Sequence, residues 1–86
     1  MLKIYDFYAT WCNPCKALAK TLETIELPED IELIKIDVEE DENEELITKF
    51  RIKNVPVLVI VDEEGNELKR VGGNISKSQI IEFITL

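Results

Sequence analysis

The sequence contains no histidine and only two cysteines. A tetrahedral zinc site built from thiolates and imidazoles is therefore two ligands short within this chain. Positive charge is also scarce. Ten Lys and Arg stand against 18 Asp and Glu, for a formal charge of −8. That balance argues against a nucleic-acid binder, which shows a basic face, and it favours solubility. No apolar run approaches the roughly 18 residues of a membrane span. The first segment is no basic start with an apolar stretch behind it, because Lys3 and Asp6 interrupt it. A cytoplasmic setting is expected, with no membrane and no nucleic acid among the partners. No repeat, linker or low-complexity segment is visible, so residues 1–86 are expected to form one domain. A chain of this size buries about 60–65% of its unfolded surface, enough for an adequate core.

Leu2 to Tyr8 reads as a strand rich in aromatic and branched residues. Asn13-Pro14 reads as a helix start, with Asn as a cap and Pro at the first helical position. Leu18, Leu22 and Ile25 form a stripe at helical spacing, and Pro28 is expected to stop it. Ile31 to Val38 is a second strand. The acidic run Asp37 to Glu45 leads into a short helix with Leu46, Ile47 and Phe50 inward. It reads as a solvated helix entrance, favourable to the helix dipole, rather than a metal or partner site.

Val57 to Val61 is wholly apolar, as in a strand covered on both faces. Asp62 to Asn66 forms a turn cluster, Glu67 to Val71 returns as a hairpin partner, and Gly72-Gly73 ends it. Ser76 and Gln79 fit a capping box, with Ile75 and Ile80 placed as a hydrophobic staple for the last helix. The order β-α-β-α-β-β-α begins with a right-handed parallel crossover. It implies an α/β fold, a mixed four-stranded sheet with helices on both faces.

The two cysteines lie in Trp11-Cys12-Asn13-Pro14-Cys15, directly after the first strand. Two residues between them let the sulfurs meet across one tight turn. A structural disulfide here would close a tiny loop and stabilise little. Inert core cysteines fit poorly beside Trp11 and Pro14. A C-x-x-C beside a βαβ pattern in a cytosolic chain reads as a redox motif. Cys12 lies at a helix start, where free N–H groups and the dipole favour a thiolate. Cys15, one turn in, is expected to be more buried. A lowered thiol gains in thiolate fraction at pH 7 and gives back part of that gain in intrinsic nucleophilicity. Most of the rate must then come from alignment of the sulfurs and an efficient second exchange.

The segment Asp6 to Lys16 resembles the active-site segment of thioredoxins. Lys35-Ile36-Asp37-Val38-Glu39 resembles that family's second core strand, Ile52-Lys53-Asn54-Val55-Pro56 its cis-proline loop, and Val71-Gly72 its late glycine. The resemblance spans nearly the whole chain, with its motifs in the family's order. It implies a thioredoxin-like fold and a thiol-disulfide oxidoreductase that reduces protein disulfides, with Cys12 attacking and Cys15 resolving. The chain starts at the active-site strand, without the N-terminal strand and helix of typical members. It is thus closer to glutaredoxins in size, and recognition by a thioredoxin reductase does not follow automatically.

Further roles follow from the resemblance. Asp6, within an apolar strand, reads either as a solvated strand position or as a proton relay for Cys15 with a raised pKa. Lys35 matches the family's lysine beside that aspartate, or is an ordinary exposed strand residue. Pro56 starts a strand. If its bond to Val55 is cis, the Val55 backbone faces an extended substrate beside Cys12. Trp11 offers an apolar contact and a shield for the thiol, and Gly72 lets a substrate backbone approach. Asn13 replaces the family's usual glycine, so Asn13 and Pro14 are expected to tune the redox potential. No metal or organic cofactor is expected. The expected partners are disulfide-bearing proteins and a thioredoxin reductase or similar electron donor, and a monomer is expected. Two rivals remain. One is a glutaredoxin-like protein reduced by glutathione, for which Lys16 and Lys53 are the only nearby cations the motifs place. The other is a non-catalytic binding module using the same groove.

Overall fold

Alternation along the first strand decides the layers. The structure, a computed structural model, describes residues 1–85. Strand β1 (Leu2–Tyr8) runs through the interior of a sheet ordered β2-β1-β3-β4. Its partners are β2 (Ile31–Asp37), in parallel register with Asp6 opposite Lys35, and β3 (Val57–Val61), antiparallel with Asp6 opposite Leu58. Strand β4 (Glu67–Gly72) pairs antiparallel with β3 and forms one edge.

Successive side chains point to opposite faces. Ile4 and, from β3, Leu58 and Ile60 therefore meet Leu18 and Leu22 of α1 (Asn13–Glu23) and Ile80 and Phe83 of α3 (Lys77–Ile84). Phe7, Val59 and Val61 face the other way. They pack with Phe50 and with Leu46 and Ile47 of α2 (Glu44–Lys49), which follows a 3-10 turn at Asp41–Asn43. The Phe7 and Phe50 rings lie 6.0 Å apart, which fixes the end of α2 on the sheet. The mixed four-stranded sheet with helices on both faces is the architecture the residue pattern implies.

Two local expectations are corrected. Helix α1 is capped by Cys12 rather than Asn13: the Cys12 sulfur accepts the Cys15 N–H at 3.2 Å, and Asn13 and Pro14 are the first two helical residues. Proline is tolerated at the second position because the first N–H groups of a helix have no partner within it. The same helix ends at Glu23, well before Pro28, where the Thr24 and Ile25 N–H groups turn to the carbonyls three residues back, Thr21 at 3.0 Å and Leu22 at 3.1 Å. Ile25 lies beyond the helix and still packs on the same core. At α3 the capping box forms as expected: Gln79 N–H donates to Ser76 Oγ, and the Gln79 side chain accepts from the Ser76 N–H.

Helix α2 closes with a paired motif. Ile52 N–H donates to the Ile47 carbonyl at 3.0 Å and Arg51 N–H to Thr48 at 3.2 Å. This Schellman arrangement puts the residue after the cap in the left-handed region, where glycine is favoured. Here that residue is Arg51, with φ of 52°. A left-handed non-glycine residue costs about 1–2 kcal/mol, offset in part by the extra freedom glycine has when unfolded. Arg51→Gly is therefore expected to raise stability by about 0.5 kcal/mol, or roughly 2–4 °C in melting temperature. Thermal unfolding followed by circular dichroism checks it. A lowered midpoint would show that the arginine side chain stabilises more than its backbone costs.

Candidate active site

Cys12 and Cys15 form a disulfide with Cα atoms 5.2 Å apart. The turn of α1 that carries them brings the sulfurs together. As N-cap, Cys12 presents its sulfur to the open first turn, and the Cys15 N–H already points at it. Such an N–H strengthens when its acceptor carries charge, so the geometry suits a Cys12 thiolate once the disulfide opens. Sequence spacing predicts a burial contrast between the two sulfurs, and the structure does not show it. Both residues are 5% exposed in the disulfide state, packed with Ala9 and flanked by Tyr8, Val38 and Val55. The first loop and the cis-proline loop close over Cys12 from two sides, which the spacing alone does not reveal.

The Val55–Pro56 bond is cis. The Val55 carbonyl oxygen lies 3.8 Å from the Cys12 sulfur. Pro56 is buried, while Val55 remains partly open. Gly72 stands opposite Val57 in the hairpin. A Cβ there would sit 3.3 Å from the Pro56 carbonyl, so a side chain would crowd the loop. Gly73, with φ of 83°, donates its N–H to the same carbonyl at 3.1 Å. Trp11 is 68% exposed, so it is no part of the core. It offers an apolar surface beside the cysteines. Asn13 and Pro14 are exposed on the first turn.

Asp6 is only 2% exposed, and its Oδ1 has no hydrogen-bond partner among the described residues. Burial pushes its pKa up to about 6, while the Lys35 charge pulls the other way. Asp6 is thus buried, not solvated. It lines a small cavity of about 220 Å³ together with Cys15, Tyr8 and Lys35. Parallel register puts Lys35 directly beside Asp6, and its ammonium sits 5.4 Å from the centre of the Tyr8 ring. The structure therefore brings Asp6, Lys35 and Cys15 together on the α1 side. Val55, Pro56 and Gly72 line the cleft on the Cys12 side, while Trp11 stands exposed next to Cys12 in the chain.

Four residues were not singled out in the sequence. Tyr8 walls the Asp6 cavity, and its position two residues after Asp6 on one strand face was the available signal. Thr10 Oγ1 donates to Glu39 Oε1 at 2.9 Å, tying the loop before Cys12 to the segment after β2. Arg51 and Arg70 line the cleft beside Pro56. No local spacing betrays that the ends of α2 and β4 meet there. Among the described residues no group of three or more Cys, Asp or Glu is arranged to hold a metal.

The sequence matches the Thioredoxin family model over residues 2–86. It is 34% identical over 85 residues to a thioredoxin of Staphylococcus haemolyticus, covering 96% of this chain and 79% of that protein. It is 36% identical over 84 residues to one of Mycobacterium tuberculosis, covering 95% and 70%. The crystal structure of Fasciola hepatica thioredoxin superposes with a TM-score of 0.81 at 36% identity, over 98% of this chain and 78% of that one. With a C-x-x-C disulfide at the first turn of a helix and agreement of sequence and fold over nearly its whole length, this chain belongs to the thioredoxin family of thiol-disulfide oxidoreductases.

Proposed function

We propose that Cys12 is the attacking thiol and Cys15 the resolving thiol of this protein-disulfide reductase. The observation that carries this order is the cap. Cys12 Sγ, not Cys15 Sγ, receives the first-turn N–H and lies against the Val55 carbonyl. In the dithiol form the Cys12 thiolate attacks one substrate sulfur. The substrate disulfide breaks, a Cys12–substrate disulfide forms, and the first substrate thiolate leaves and takes up a proton. Cys15 then loses its proton and attacks Cys12 Sγ. The Cys12–Cys15 disulfide forms, and the second substrate thiolate leaves. Two electrons pass to the substrate, the proton released by Cys15 and one from solvent turn both substrate thiolates into thiols, and the protein ends in the oxidised state seen here.

Asp6 is assigned as the base for Cys15. It shares a cavity with Cys15, and a carboxyl with a pKa of about 6 is poised for transfer near neutrality. Lys35 holds the carboxylate form in range and stays outside the exchange itself. Trp11, Val55, Pro56 and Gly72 shape the substrate groove, with the Val55 backbone pairing an extended segment of substrate. Asn13 and Pro14 set the potential through the first turn that carries both sulfurs. Residues 1–86 act as one unit, as a monomer in the cytoplasm, on disulfide-bearing proteins and with electrons from a thioredoxin reductase or another dithiol donor. No described helix is long and apolar enough to cross a membrane.

Cys12→Ser is expected to lower reduction of a disulfide-linked peptide by about 10³-fold or more. Cys15→Ser is expected to accumulate the Cys12–substrate disulfide, visible as an added mass. An adduct on Cys15 in the Cys12→Ser protein, with rate retained, would reverse the assignment.

Asp6 also gives a stability signature. Its folded pKa lies above the unfolded value of 3.8. The folded state therefore holds a proton between about pH 4 and 6 that the unfolded chain has lost. Stability falls as pH rises through that window, by about 3 kcal/mol at full extent. Asp6→Asn is expected to remove this slope and to slow the Cys15 step. Denaturant titrations at pH 4 and pH 7, with single-turnover decay of the mixed disulfide, measure both. Parallel stability curves for the two proteins would place the carboxylate in water.

A further inference from the structure

We infer that the cleft beside Val55-Pro56 selects disulfide substrates with acidic residues two to four positions from the reacting cysteine. This deepens the reductase reading and rests on it. The cleft measures about 370 Å³ and runs from Val55, Pro56 and Gly72 to Arg51, Lys53 and Arg70. These include both arginines of the chain, and no acidic residue lines the cleft. In a protein of net charge −8 that is an abrupt local reversal of sign.

Two cations are held side by side. Arg70 donates to the Phe50 carbonyl at 2.7 Å, and Phe50 immediately precedes Arg51. Glu67 pairs with Arg70 and neutralises one of the two guanidiniums. Arg51 and Lys53 are exposed and have no acidic partner within salt-bridge distance among the described residues. Arg51 also occupies the left-handed position where glycine fits better. A long cation stands at a site where its backbone is strained, which points to a use for the side chain.

The spacing identifies the occupant as polypeptide. The end of the cleft nearest the sulfur is the Val55 backbone, 3.8 Å from Cys12. Lys53 lies two residues before Val55. Arg51 lies four residues before Val55. Carboxylates that reach these cations sit beyond the immediate neighbours of the substrate cysteine. A tripeptide centred on its sulfur ends one residue away on each side. Guanidinium forks meet carboxylates in bidentate pairs, which adds orientation to attraction.

The test compares two disulfide-linked peptides of equal length, alike except for Asp and Glu or Lys at positions two to four from cysteine. At 0.1 M salt the screening length is about 10 Å, so the repulsion of the whole acidic surface fades while the cleft still acts. The protein is expected to reduce the acidic peptide with roughly tenfold higher kcat/KM than the basic one. In Arg51→Gly/Lys53→Gln, and in the unaltered protein at 1 M salt, that ratio is expected to fall below about two. A ratio near one in the unaltered protein, or one unmoved by the double substitution, overturns the inference. So does a loss confined to oxidised glutathione, which would make the cleft a tripeptide site. Affinity of the same peptides for a Cys12→Ser/Cys15→Ser protein separates the two levels of the reading. Charge-dependent binding without reduction of either peptide in the unaltered protein would keep the cleft and remove the redox assignment. Equal reduction of both would do the reverse.

Discussion

The register of β1 between its two neighbours is the constraint on which the rest depends. This strand is covered on both faces, so each residue has one permitted side. That parity sends Ile4, Asp6 and Tyr8 toward α1 and Phe7 toward α2. It aligns Asp6 with Lys35 across the parallel ladder. It also delivers the chain to Cys12 at the point where α1 begins. A slip of one residue would bury Lys3 and Tyr5 on the α1 side and swing the carboxyl away from Cys15. The hydrophobic pattern of one strand thus sets the geometry of an exchange between sulfurs at its far end.

A second constraint comes from the other direction of the chain. The β3–β4 hairpin is antiparallel, and its base carries Pro56 and Gly72 as neighbours. Gly73 binds the Pro56 carbonyl and closes that base. Strand pairing and the Gly73 bond thereby anchor the loop that Pro56 bends. It meets the sulfur from the side opposite Asp6. One flank holds Asp6 and Lys35 around a small cavity with Cys15; the other opens as the cleft beside Val55 and Pro56.

Much of this was legible in the residues. Strand β1 was bounded at Leu2 and Tyr8 by its composition, and β3 by its unbroken apolar run, because tertiary burial and local propensity agree there. The Ser76–Gln79 box was equally plain, since its bonds are local. The end of α1 was misplaced. Pro28 is a strong breaker by rule, while the tightened last turn, in which Thr24 and Ile25 bond three residues back, has no local marker in the sequence. The cap was misassigned for a related reason: asparagine leads cysteine in general preference, yet here a sulfur takes the N–H. At the site, motif order located Cys12, Cys15, Asp6 and Pro56. The closeness of Arg51 to Arg70, or of Thr10 to Glu39, depends on contacts between distant segments, and no periodicity encodes them.

The closed pair sits almost wholly beneath the surface, although Trp11 beside it is open. An oxidised molecule of this kind is a poor target for stray small thiols, because there is little sulfur for them to collide with. Any thiol that opens the pair must reach a sulfur that Ala9 and the Val55 loop largely cover. Burial of the closed pair thus narrows the directions from which the proposed exchange can begin.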